Sequence, residues 1–166
     1  MTEQKTKRVR TLRRRLSHFV GPIAFYRVGR FLVQSRLGFI AGFFRYLGVL
    51  FFGADINQAA KIGARFSLPH FGLGVVVGKY AVIGDECVLM PGVLIGATLV
   101  NHEMPLLEDA VVVGAGAKVL GPITIGRGVV IAANSVVTSD VPPFCLVAGN
   151  PARIVKENIS VEDMKV

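Results

Sequence analysis

The chain has no tryptophan and only two cysteines, Cys87 and Cys145, in 166 residues. These two form no CxxC pair and no His/Cys cluster, which argues against a zinc site or a disulfide framework; reduced, structural thiols and no bound metal are expected. Histidine is nearly as scarce, at positions 18, 70 and 102 only. No secretory leader is expected, because the first 18 residues lack an apolar centre and a small-residue cleavage site. A cytoplasmic protein is expected. Acidic charge is almost missing from the first third. Residues 1–54 hold eleven of the nineteen Lys/Arg and a single acid, Glu3, for a net +10, whereas residues 55–166 hold eight basic and ten acidic side chains, for a net −2.

What is present is apolar material: 52% of residues, with a mean hydropathy of +0.55. That excludes an intrinsically disordered chain. Frequent glycine excludes a multi-span membrane protein. The sequence divides near Gly53-Ala54-Asp55 into a basic, aromatic extension (1–54), a second region (55–155) and a short tail (156–166).

The second region repeats every six residues. An aliphatic residue returns at Ile56, Ile62 and Leu68, then at Val77, Ile83, Leu89 and Ile95, and again at Leu107, Val113, Val119, Ile125, Ile131 and Val137. The next residue is often glycine or alanine. Four places on stand small or β-branched residues such as Ala60, Ala81, Cys87, Val93, Val111, Ala117 and Val129. This is neither a helical period nor simple strand alternation. One short strand and one tight corner per six residues build a triangular coil from three units, with the aliphatic residue pointing into the prism. The expected fold is mainly β, a parallel β-helix with a short helical extension.

The period fails twice. Three extra residues fall between Leu68 and Val77, in Pro69-His70-Phe71-Gly72-Leu73-Gly74, and the inward position expected at 101 is a polar asparagine, so Ala97 to Leu106 reads as an excursion. Each interruption contains a histidine.

The segments DINQAAKIGARFSLPHFGLGVVVGKYAVIGDECVLMPGVLIGAT, VVVGAGAKVLGPITIGRGVVIAANSVV and VAGNPARIV resemble serine acetyltransferase and its hexapeptide-repeat relatives in polysaccharide gene clusters. The resemblance covers about two thirds of the chain. It implies a left-handed winding, a homotrimer, and acetyl-CoA as acyl donor lying outside the prism between neighbouring chains. It also implies that His70 is a general base, oriented by Asp55 fifteen residues earlier. Imidazole can take the proton from a hydroxyl as that oxygen attacks a thioester, and a carboxylate on the far ring nitrogen fixes the tautomer. His102 is a second catalytic candidate, either as helper or as the base itself. For the donor, the resemblance points to Gly96, Thr98, Ala115 and Ala133 as close-approach positions, and to Arg153 and Lys118 as phosphate partners.

The chain also departs from the serine acetyltransferase pattern. Pro69 stands where an acid would precede the catalytic histidine, Met104 stands where a histidine would precede Pro105, and the acidic helical domain is replaced by the basic extension. These departures favour a sugar hydroxyl of a surface polysaccharide or its precursor as acceptor. The alternatives are serine, in cysteine biosynthesis, and a non-catalytic β-helix used for assembly.

The extension places Lys5, Lys7, Arg8, Arg10, Arg13, Arg14 and Arg15 before a run of Phe and Tyr. Arg45 at the centre of Leu37–Ala54 argues against a membrane span, since a central arginine costs roughly 2.5–3.5 kcal/mol. One or two short helices packed on the end of the β-helix are expected, either in peripheral contact with the inner face of the membrane or, behind a solvated basic tail, buried against the trimer. Nothing beyond the arginine run supports nucleic-acid binding.

Overall fold

The structure, a computed structural model, describes residues 21–159. The basic run Lys5–Arg15, His18, Phe19 and residues 160–166 lie outside the described residues. Two helices come first, α1 (Pro22–Gln34) and α2 (Gly38–Phe52). Pro22 opens α1, where its missing N–H costs nothing, and Gly53 closes α2 in a left-handed conformation (φ 64°).

Strands of two or three residues follow, each ending at a corner: β1 (Asp55–Ile56), β2 (Lys61–Ile62), β3 (Val76–Val77), β4 (Val82–Ile83), β5 (Val88–Leu89) and β6 (Leu94–Gly96). After a loop come β7 (Leu106–Leu107), β8 (Val112–Val113), β9 (Lys118–Leu120), β10 (Thr124–Ile125), β11 (Val130–Ile131) and β12 (Val136–Val137). The chain closes with β13 (Leu146–Gly149) and β14 (Ala152–Lys156). They form three sheets, β1-β3-β6-β9-β12, β2-β4-β7-β10 and β5-β8-β11-β13-β14. All pairings are parallel except that of β13 with β14, a hairpin turning through the cis Asn150–Pro151 bond.

The registers give the size of each coil. Val76 pairs with Leu94, and Lys118 with Val136, each eighteen positions on: three six-residue units. Asp55 pairs with Val76, twenty-one positions on, which accounts for the three extra residues around His70. Val82 pairs with Leu106, twenty-four positions on, so the excursion after Ile95 adds six. The expected interruptions are therefore loops thrown out of a continuous solenoid.

Of the thirteen aliphatic residues in phase, eleven are buried, and Ile62 and Leu68 are partly buried at the first coil. The second inward series is also buried, down to Ser135. Phe66, in the Ala60 series, is buried as well; its size hid it from a search for small residues.

The helices close the first end of the prism. Ile23 and Tyr26 enter the core, and the Tyr26 hydroxyl donates to the Ala60 carbonyl at 2.8 Å. Burial raises the pKa of this hydroxyl above its ordinary value. Arg30 donates to the Gln58 and Ala59 carbonyls. Gln58 is buried between the helices: its amide donates to the Ala41 carbonyl at 2.9 Å, and a Cβ at Gly29 would overlap its side chain.

Candidate active site

His70 sits on a short 3-10 turn, Pro69–Gly72, in the first loop. Both His70 (φ 53°) and Phe71 (φ 57°) take left-handed backbone conformations, a cost of order 1–3 kcal/mol each in side-chain-bearing residues. Two successive residues in this region turn the chain outward, so His70 is exposed. Its cleft holds about 240 Å³ and is lined by Ser67, Leu68, Pro69 and Phe71 on one side and by Gly21, Pro22 and Ile23 of the α1 end on the other. No carboxylate lines it among the described residues. Phe71 stacks on Phe52 of α2, with ring centroids 6.0 Å apart and an interplanar angle of 24°.

Asp55, on β1, is engaged by α2. Arg45 donates to both of its carboxylate oxygens, Nε to Oδ1 at 2.5 Å and Nη2 to Oδ2 at 2.7 Å. The bidentate bond raises the pKa of the Arg45 guanidinium above its ordinary value. The resemblance implies a role for Asp55 toward His70; its partner from the extension, Arg45, carries no signal in the sequence.

His102 lies in the second loop, exposed, in a different and larger cleft of about 800 Å³ that also includes Tyr80, Asn101, Glu103, Met104 and Thr124. The loop is braced by short bonds. Asn101 N–H donates to Thr98 Oγ1 at 3.0 Å, and Glu103 N–H donates to Asn101 Oδ1 at 2.9 Å. The asparagine that breaks the inward pattern thus serves as the loop's own turn former. Within one chain, His70 and His102 line separate clefts.

The donor-side residues gather around one sheet and one corner. Gly96 ends β6, and its carbonyl accepts the Gly121 N–H at 3.0 Å. Thr98 packs against Gly121, where a Cβ would come within 3.3 Å of its methyl group. Ala115 and Ala133 are exposed corner residues one coil apart, joined by the Asn134 N–H donating to the Ala115 carbonyl at 2.8 Å. Lys118 begins β9 near that corner, its ammonium on the Gly116 carbonyl at 3.1 Å. Arg153 belongs to the neighbouring sheet: it pairs with Ala148, next to Val147, whose carbonyl accepts the Ala132 N–H. It therefore lies on β14, two strands beyond β11, whose end leads into the Ala133 corner. Its guanidinium donates to the carbonyl of its neighbour Ala152 (2.9 Å) and is exposed. A column of small, exposed corners ending at a cation fits a narrow chain that carries phosphate. No group of three or more potential metal ligands occurs among the described residues.

Fold and sequence together define a hexapeptide-repeat β-solenoid with an N-terminal helical extension. The family model for "Bacterial transferase hexapeptide (six repeats)" matches residues 105–139. A serine acetyltransferase of Synechococcus elongatus is 43% identical over 132 residues, 78% of this chain and 54% of its own length. That of Escherichia coli K12 is 41% identical over 132 residues, 78% of this chain and 48% of its own. Among solved structures, Brucella abortus serine acetyltransferase in complex with coenzyme A superposes with a TM-score of 0.78 at 36% identity, covering 81% of this chain and 54% of that one. Soybean serine acetyltransferase complexed with serine gives 0.76 at 38% identity, covering 81% and 56%. The chain is related to the serine acetyltransferases, and it spans about half the length of these relatives.

Proposed function

We propose that the protein is an O-acetyltransferase that moves acetyl from acetyl-CoA to a hydroxyl. The observation that carries this reading is that one prism holds both an exposed, loop-borne His70 and, elsewhere, the Ala115–Ala133–Arg153 column, in a chain related over most of its length to serine acetyltransferases, one of them solved with coenzyme A. In the proposed step, the acceptor oxygen attacks the thioester carbonyl carbon while His70 takes its proton. The C–S bond then breaks, and the coenzyme A sulfur leaves and is reprotonated. Asp55 is the proposed orienting carboxylate, His102 the second candidate base, and the small corners and Arg153, with Lys118, the donor contacts. We further infer a homotrimer with coenzyme A between neighbouring chains, as the resemblance implies.

For the acceptor, the relatives favour serine or a serine-like small hydroxyl compound. A second reading, a sugar hydroxyl of a surface polysaccharide, is supported by one observation. Among the described residues the His70 cleft is lined by Pro69, Ser67 and mostly apolar residues, with no carboxylate to pair with an amino acid's ammonium group. The test is coenzyme A release with L-serine and with a panel of glycans, for the wild type and His70→Ala. Loss of about a hundredfold or more in turnover is expected. Turnover within a few-fold of wild type would remove His70 as the base. Absence of coenzyme A binding in calorimetry would remove the activity altogether.

A further inference from the structure

Helix α2 has two opposite faces. One holds it to the solenoid: Ala41 and Gly48 are buried, Arg45 grips Asp55 and Phe52 stacks on Phe71. On the other, Phe39, Phe43, Tyr46 and Leu50 follow each other at spacings of four, three and four residues, which places them in one narrow stripe. They are 82%, 58%, 63% and 61% exposed. Phe31 of α1 and Phe51 are also exposed. Phe43 meets the edge of Phe44, with ring centroids 5.9 Å apart, yet stays mostly exposed like the rest of the stripe, and so many large apolar side chains together exceed the scattered apolar exposure ordinary on a surface.

We propose that this stripe docks on an anionic lipid bilayer, with α2 lying in the interface. Charge selects the occupant. Residues 21–54 contain no acid and four arginines, of which Arg27, Arg30 and Arg45 are held against the solenoid, and residues 1–20 add seven Lys/Arg against Glu3. A second copy of the chain on this face would bring two such segments, each +10, against one another. A phosphatidylserine-type surface neutralises them, at about 1 kcal/mol for each basic side chain near it. Length selects the mode. The fifteen residues of α2 reach only about 22 Å, short of the roughly 30 Å hydrocarbon core, and no described helix is long and apolar enough to cross a membrane. Aromatic side chains at the level of the headgroups suit a helix lying flat.

Docking bears on the candidate site, because α2 holds Asp55 through Arg45 and Phe71 through Phe52. It does not depend on the acyl-transfer reading, since the assay is for binding alone. The full chain is sedimented with vesicles of phosphatidylcholine and with vesicles containing about 30 mol% phosphatidylserine. Binding to the anionic vesicles is expected, with a loss of about tenfold or more at ~0.5 M salt. A similar loss is expected for Phe39→Ser/Phe43→Ser, whose side chains leave the core untouched; an unchanged circular dichroism melt checks that the fold is retained. No binding to anionic vesicles at low salt overturns the proposal. So does binding by the double variant within about twofold of wild type, which assigns the effect to the basic run alone. So does a protein assembly that the double variant dissolves in sedimentation velocity without any vesicle binding, which assigns the stripe to self-association.

Discussion

Arg45 of α2 and Asp55 of β1 form a two-bonded ion pair across the junction between the helical extension and the solenoid. Both side chains keep contact with solvent, at 41% and 32% exposure. Solvent screening then limits the pair to about 1 kcal/mol or less of stability. A double-mutant cycle with Arg45→Met and Asp55→Asn, read by urea denaturation, should return a coupling in that range. Activity should separate the two residues. Asp55→Asn is expected to lower turnover at least about tenfold through misorientation of His70, and Arg45→Met by only a few-fold. Equal, small losses for both would make Asp55 an anchor for α2 and nothing more.

Glycines in the chain carry opposite predictions. At Gly114 a Cβ would lie 2.5 Å from the Ala133 nitrogen and 2.8 Å from the Ile131 carbonyl oxygen, backbone atoms of the next coil that cannot step aside. Gly114→Ala should cost about 2 kcal/mol or more. At Gly42, inside α2, a Cβ meets nothing within 4 Å. Gly42→Ala should stabilise by about 0.5–1 kcal/mol. Thermal melts of the two variants check the contrast.

The inward stack should show position dependence. Ile95 is fully buried between Val77 and Val119 of the coils on either side. Ile95→Ala is expected to cost about 2–5 kcal/mol. Ile62 is only partly buried at the first coil, so Ile62→Ala should cost less than half as much, by the same denaturant titration.

The thiols should be inert. Cys87 is buried and donates to the Glu108 carbonyl at 3.0 Å, and burial pushes its pKa up to about 11. Cys145 is buried too, and its pKa is raised for the same reason. A thiol reagent near pH 8 should label neither in the native protein and both after denaturation. In the folded chain Cys87 holds its proton up to about 11, whereas an unfolded thiol loses it near 9.0. Between those values the unfolded chain binds fewer protons, so stability should fall as pH rises through that window. Cys87→Ala should flatten this decline.

The six-residue period determined the solenoid, because an aliphatic residue every sixth place can be buried by all its copies only if the chain coils in threes. The same counting located both loops, and with them both histidines. Composition placed helices before Asp55. Tertiary structure decided what no count of residues contains. Gln58 is buried because the helices pack around it, contrary to its polarity, and Phe66 is buried in the core, contrary to the small size of its series. The grip of Arg45 on Asp55 depends on how α2 lies over β1, and the stacking of Phe52 on Phe71 depends on two left-handed residues in succession. His70 and His102 are similar in sequence terms, each a loop histidine in a broken repeat. Only the winding of the prism determines that they open into separate clefts of one chain.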